Sequence, residues 1–252
     1  MASYFKYIGL ELPGHSALLK PMNTDGFHRL LVASFIFALF SIPLFSQAAC
    51  DETPAPESKR IFGIVPNYKT SSCSEIYKPL RTAEKFKIAT QDAFDPGTLV
   101  LAAIFAGEEQ LSNANPSFGQ GAAGYGRYVG TAYADFVIGN YMTEGVFPSM
   151  FHQDPRYFRR GSGSGLSRLR YACGQILLTH NDSGKMEFNY SEILGNSTAV
   201  AISNAYYADN RDAHDAAVKL SSQLGIDMAS NVLKEFWPDM ARKLSHRHHN
   251  LN

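Results

Sequence analysis

The sequence predicts a mainly α-helical fold, a compact bundle of about five or six helices packed through stripes of small residues. Small residues recur at every fourth position in three stretches, which places each set in one narrow stripe on a helix. The stripes are Ala122, Gly126, Gly130 and Ala134; Gly195, Ala199 and Ser203; and Ala217, Ser221, Gly225 and Ala229. Such stripes are typical of closely packed helix pairs, within one chain or between chains of an oligomer.

Residues 1–48 predict a leader and an export signal. An uncharged apolar run over 30–45 follows Arg29, and small residues precede the expected cleavage site after Ala48. A retained membrane anchor is the alternative, although the run is shorter than the roughly 20 residues of a spanning helix. Met22 lies at a natural distance from the run and indicates a start there, with a long n-region as the alternative. We expect an exported protein in the periplasm or at an envelope membrane.

Three cysteines follow the signal. An exported compartment permits disulfides, so Cys73 and Cys173 are a candidate pair. Cys50 follows two alanines and is a candidate lipidation site, although Gln47 stands where such a signal usually has leucine. Three unlinked cysteines are the alternative. Residues 49–60 are polar and contain proline, which is typical of a flexible tether.

Two helices are predicted in the first part of the folded domain. Charged and apolar residues mix over 82–93 as on a surface helix. Asp95 and Pro96 are typical of an N-cap and a first helical position, so a second helix is predicted over 97–111. It is almost wholly apolar before Glu108, and we expect it to be buried in protein or to dip into lipid.

A long central helix is predicted over 121–147, with Pro148 ending or kinking it. Residues 167–179 favour a helix or a strand. The Asn-Asp-Ser-Gly turn predicts a short β-hairpin within 179–190.

The C-terminal part of the domain predicts two more helices, over 192–207 and 212–236, with Pro238 ending the second. A single helical domain is therefore expected over 61–244. A polar, histidine-rich tail follows at 245–252.

The best candidate site is the loop HQDPRYFRRGSGSG. Its candidate catalytic residues are His152 and Asp154, and its candidate anion-binding residues are Arg156, Arg159, Arg160, Gly161 and Gly163. Histidine and aspartate suit acid–base chemistry, arginine binds phosphate or carboxylate through two hydrogen bonds, and glycines let backbone amides turn towards an anion. The alternative is a surface loop whose arginines pair with acids or with anionic lipid headgroups.

Other chemistry has little support in the sequence. There is no nucleotide-binding P-loop, no nucleophile elbow and no metal-ligand spacing, so we expect no cofactor and no metal site. Asp135 and Glu144 lie in the apolar central helix and would be functional candidates in lipid. In water we expect them on its exposed face. The balance of 23 basic and 23 acidic residues excludes a generic nucleic-acid binder.

The segments HQDPRYFRRGSGSG, THNDSG and NVLKEFWPD together resemble a group of uncharacterised exported bacterial proteins. The resemblance covers about residues 85–244. It implies export and a single domain, and it implies no activity.

We therefore expect a non-enzymatic helical protein of the bacterial envelope, structural or binding, and membrane-associated. Its arginine-rich loop would contact anionic lipid headgroups or another envelope protein. The alternative is an envelope hydrolase acting on an anionic, phosphoester-like substrate. It would use His152 and Asp154 as acid–base groups and the arginines as an anion clamp.

Overall fold

The computed structural model describes residues 59–72, 77–209 and 211–249, with side chains up to residue 242. Outside these residues lie the predicted leader and signal peptide, the Met22 start, most of the tether, the candidate lipidation site Cys50, the end of the tail, and Cys73. The pairing of Cys173 with Cys73 therefore stays a prediction.

Helices dominate the described residues. The elements are, in order, strands β1 (Arg60–Ile61), β2 (Val65–Pro66) and β3 (Thr70–Ser71), helices α1 (Thr82–Ala93) and α2 (Pro96–Ser112), a 3₁₀ turn (Pro116–Phe118), α3 (Gly121–Asn140), a π-helical segment (Tyr141–Val146), α4 (Phe147–Phe151), β4 (Tyr157–Phe158), α5 (Gly165–Gly174), β5 (Leu178–His180), β6 (Met186–Phe188), α6 (Tyr190–Ser203) and α7 (Ala213–His249). Because α3, the π-helical segment and α4 are continuous, the described part holds six helical runs. This confirms the predicted helical bundle.

The strands form three separate pairs. β1 pairs with β2 and β5 with β6, both antiparallel, whereas β3 pairs with β4 in parallel. The β5–β6 pair confirms the hairpin predicted within 179–190. The β3–β4 pair joins the N-terminal segment to the loop that carries the candidate site.

Helix α2 begins where the sequence predicts. The Asp95 carboxylate accepts a hydrogen bond from the Gly97 amide at 2.7 Å, and Pro96 occupies the first turn. The same carboxylate accepts hydrogen bonds from Tyr68 Oη at 2.8 Å and from Arg60 Nε at 2.9 Å. One N-cap thus also anchors the N-terminal strands. In the described part of the chain, no helix has both the length and the apolar character needed to cross a membrane.

Of the two outcomes predicted for Pro148, an end or a kink of the central helix, the first does not occur. The backbone stays right-handed helical through Asn140, Val146 and Phe147, and the helix continues to Phe151. Proline cannot donate to the carbonyl four residues earlier, and its ring clashes there. A π-helical segment lies directly before Pro148. It changes the hydrogen-bond register, so the helix continues past the proline.

The prediction that Pro238 ends the last helix is wrong, because α7 continues to His249, into the predicted tail. An internal proline costs about 3 kcal/mol. Arg168 offsets this cost by binding carboxylates on both sides of it, Glu235 at 2.7 Å and Asp239 at 2.6 Å. These contacts hold α7 against α5 on either side of the proline.

The stripe on α6 packs as predicted. Ala199 and Ser203 are buried, and Gly195 lies against the π-helical segment. A Cβ added at Gly195 would come within 3.1 Å of the Thr143 backbone. A glycine is therefore required for this close approach.

The other two stripes face outward. A Cβ added at Gly126, Gly130 or Gly225 would meet no other atom within 4 Å, and Ala122 and Ala229 are exposed. Within the described chain, therefore, only the α6 stripe packs as expected, and contact of the α3 and α7 stripes with another chain stays a prediction. Fourfold spacing fixes one helix face but does not determine what covers it.

We predict that Gly195→Ala lowers the free energy of unfolding by about 1–3 kcal/mol, because its methyl group must displace backbone atoms at Thr143. Gly130→Ala makes the same chemical change in open space and should raise it by about 0.5–1 kcal/mol, since alanine favours helices. Urea denaturation of both variants measures the difference. Equal effects at the two positions would contradict the packing described here.

Candidate functional site

His152 and Asp154 occupy different environments. The His152 side chain is 81% exposed, and its Nδ1 lies 3.6 Å from Asp182 Oδ2. Asp182 itself pairs with the buried Lys85 at 2.7 Å. Asp154 is buried and binds Arg156 at 2.6 Å. The two proposed acid–base groups have separate partners and do not act on a common point.

The arginines of the loop also face the protein. Arg156 donates to the Lys78 carbonyl oxygen at 2.6 Å, and its guanidinium lies 5.1 Å from the centre of the Phe158 ring. Arg159 is buried, at 5% exposure. Arg160 is half-buried, with its guanidinium 5.9 Å from the centre of the Tyr171 ring. These side chains contribute to the fold.

The loop does bind an anion, and the anion is the carboxylate of Glu235, which is fully buried. The backbone amides of Arg160 and Gly161 donate to it at 2.9 and 3.0 Å. Tyr157 Oη and Arg168 Nε each donate at 2.7 Å. Burial and the Glu235 charge raise the pKa of Tyr157 well above its ordinary value, so its hydroxyl stays protonated.

The glycines of the loop serve this arrangement. Gly161 has φ 68°, in the left-handed region that favours glycine, and this conformation lets two successive amides face one carboxylate. Gly163 follows with φ 98° just before Ser164, which caps α5. The loop thus has the predicted anion-binding groups, but the side chain of Glu235 occupies them.

A second group of charged residues lies at the centre of the bundle, and we call it the central charge cluster. It comprises Lys69, Asp92, Glu144, Glu192, Asp227 and Lys234. These residues come from the β2–β3 connection, α1, the π-helical segment, α6 and α7. Among these residues, Lys69 Nζ contacts Glu144 Oε1 directly, at 2.8 Å.

The carboxyl groups of the cluster form two pairs. Asp92 lies beside Glu144, and Glu192 lies beside Asp227. Burial, and then the paired acid, raise the pKa of Asp92 and of Glu192 well above their ordinary values. Asn196 Nδ2 bridges the second pair, donating to Asp227 Oδ2 at 3.1 Å and to Glu192 Oε1 at 3.2 Å. A neighbouring carboxyl disfavours the ionised form of each of these two acids.

The two lysines respond in opposite directions. Burial, with Lys69 nearby, lowers the pKa of Lys234 to about 8. Burial alone would lower the pKa of Lys69 too, but Glu144 and the other acids raise it above its ordinary value. The nearby acids thus oppose the cost of burying the two amines.

Two cavities border the central charge cluster, and both are lined by Thr143 and Asp227. One has a volume of about 40 Å³ and is polar, which suits ordered water. The other, of about 170 Å³, lies between α2, α3 and α7 and has Glu109 on its wall. Burial, and then Asp135, raise the pKa of Glu109 to about 7.

The expectation that Asp135 and Glu144 lie on an exposed face is wrong. Glu144 is only 1% exposed, and the Asp135 side chain is 16% exposed. The other members of the central charge cluster were not predicted. The sequence held one signal of the cluster. Glu192 lies on the same helix face as Gly195 and Ala199, so the small-residue stripe that packs also carries a charged residue.

No metal centre is formed by the side chains described, since nowhere among them do three or more histidine, cysteine, aspartate or glutamate groups gather as ligands would. Lysines accompany the acids of the central charge cluster instead. These amines take the charge-balancing role that a metal ion would fill elsewhere.

We predict a pH effect at Glu109. Its pKa is raised from 4.5 to about 7, so the folded protein keeps a proton that the unfolded chain releases above pH 4.5. The free energy of unfolding should therefore fall by about 2–3 kcal/mol from pH 4.5 to 7, relative to that of Glu109→Gln. Denaturation across this pH range measures it. Glu108→Gln, exposed on the same helix, controls for the loss of a carboxylate; the same trend in both variants would refute the assignment.

Comparison with known proteins gave no match of any kind. No protein-family model matches the chain, and no curated protein or solved structure is similar enough to match it. The resemblance to exported bacterial proteins therefore stays a prediction. Function has to be argued from the geometry of the chain itself.

Proposed function

We propose that this chain is a non-enzymatic structural or binding protein of the bacterial envelope, which associates with a membrane surface through the outer side of helix α2. Export rests on the signal predicted in residues 1–48. The membrane contact rests on one observation, the large apolar side chains that α2 turns to solvent. We call them the α2 outer face; they are Leu99, Val100, Ile104 and Leu111.

Helix α2 is built in the reverse of the usual amphipathic pattern. Its inner side carries alanines, and Ala102 and Ala106 are fully buried. Its outer side carries larger apolar groups, with Ile104 59% and Leu111 91% exposed. Exposed apolar area costs about 25 cal/mol per Å² relative to burial. Large apolar side chains turned to solvent along one helix suit a lipid or protein contact.

The neighbouring helix α3 also turns apolar groups to solvent. Along α3 the exposed residues include Ala122, Gly126 and Gly130, together with Tyr125 at 36% exposure. Small and aromatic groups beside larger aliphatic ones suit an interface between lipid and water.

The proposed contact is apolar, which revises the expected role of the arginine-rich loop. Arg156 and Arg159 are held by internal partners or buried, so they are poorly placed to bind lipid headgroups. The hydrolase alternative has no support in the described geometry, since His152 and Asp154 have separate partners. We therefore propose no catalytic activity.

The proposal predicts that Val100→Ser, Ile104→Ser and Leu111→Ser together release the protein from vesicles. The test uses residues 49–252 with Cys50→Ser, so that neither signal nor lipid anchor contributes. Flotation with phosphatidylcholine vesicles measures binding. The triple variant should bind at least about tenfold less, because each serine removes apolar area that the membrane would otherwise bury. Salt at 1 M should leave the wild-type protein bound.

The matched control combines Met150→Ser, Leu166→Ser and Leu169→Ser, which removes three exposed apolar groups from α4 and α5. It should bind vesicles like the wild type. Equal loss in both triple variants, or release of the wild type by salt, would refute the α2 outer face as the contact.

A further inference from the structure

We propose that the 170 Å³ cavity between α2, α3 and α7 is a binding site for a small alkylammonium ion, a protonated amine with a short apolar chain. We call it the amine cavity. This inference is independent of the membrane contact, because the cavity and the α2 outer face use different residues. Its support comes from the size, walls and unpaired oxygens of the cavity.

The volume limits the ligand. A cavity of about 150 Å³ in another protein holds one benzene molecule, so 170 Å³ admits a ligand of about six or seven heavy atoms. A short aliphatic amine has this size.

One part of the wall is apolar. Phe105 on α2 and Phe136 on α3 have ring centres 5.9 Å apart, and Ile226 of α7 also lines the cavity. Aromatic faces attract cations as well as alkyl groups. This part of the cavity suits the chain of an alkylammonium ion.

The other part carries oxygen atoms that lack donors. Glu109 Oε2 and Gln223 Oε1 are buried, and neither accepts a hydrogen bond from any group in the described part of the chain. Burying an acceptor without a donor costs about 1–3 kcal/mol, more for a charged one. An ammonium group has three N–H donors and can serve both oxygens.

Lys219 does not meet this need. Its Nζ lies 3.0 Å from Asp135 Oδ2 and 3.7 Å from the centre of the Tyr207 ring. Asp135 also accepts a hydrogen bond from Tyr207 Oη at 2.9 Å and one from Tyr206. Asp135 and Lys219 therefore satisfy each other, and Glu109 remains the acceptor open to a ligand.

The charge of the wall favours a cation over an anion. Its titratable groups are three carboxyls, Glu109, Asp135 and Asp227, and one amine, Lys219. Asp227 already accepts a hydrogen bond from Asn196 Nδ2 at 3.1 Å. An added positive charge beside Glu109 compensates the ionised carboxylate, whereas an anion would be repelled.

The test is isothermal titration of the full chain at pH 8 with n-pentylammonium, 1-pentanol and pentanoate, which share a chain length and differ in charge. Pentylammonium should bind saturably and at least about tenfold more tightly than pentanol, because a charge-assisted hydrogen bond adds to the apolar contact. Pentanoate should not bind. Equal affinity for pentanol, or no saturable binding of pentylammonium up to tens of millimolar, would overturn the proposal.

Variants of two adjacent residues locate the site. Glu109→Gln keeps the side-chain shape and removes the charge, and it should weaken pentylammonium binding by about tenfold or more. Glu108→Gln removes an exposed carboxylate from the same helix and should leave binding unchanged. Circular dichroism of both variants verifies folding. Unchanged affinity in Glu109→Gln, or equal loss in both variants, would assign any binding to another place.

Discussion

Burial of charged side chains between helices is the constraint on which the rest of this structure depends. A buried ionised carboxylate without a partner is costly, so a carboxyl group in the interior needs a donor or a cation from another element, or it keeps a proton, as the raised pKa of Glu109 indicates. Glu235 obtains four donors from the segment Tyr157–Arg168. The central charge cluster brings four acids and two lysines together from five parts of the chain. These needs bring distant segments together.

The irregular features of the helices follow from the same constraint. The π-helical segment places Glu144 in the centre, where Lys69 reaches it at 2.8 Å, and it also allows the helix to continue past Pro148. Helix α7 continues through Pro238 because Arg168 binds one carboxylate of this helix before the proline and one after it. With the polar groups turned inward in this way, large apolar groups on α2 remain outside, and these form the proposed contact surface.

Local rules predicted much of the fold. The helical class, the β-hairpin and the Asp95 cap depend on residues close together in sequence, so pattern and spacing could find them. The loop was predicted to bind an anion, but its anion lies 74 residues away from Gly161, and no local pattern reports such a partner. The stripes of α3 and α7 do not pack within the described chain, because spacing defines a helix face without indicating its neighbour. Glu144 was expected on an exposed helix face, because an isolated charged residue in a helix is usually solvated.

The central claim is that the charged loop is a structural element held by Glu235, and a double-mutant cycle between Arg168 and Glu235 tests it most directly. Each of Arg168→Met and Glu235→Gln should lower the free energy of unfolding by about 3 kcal/mol or more, because each leaves buried polar groups without partners. The double variant should be little less stable than either single one, with a coupling of about 2 kcal/mol or more. Additive effects, with coupling near zero, would contradict the account and leave the loop free for another partner.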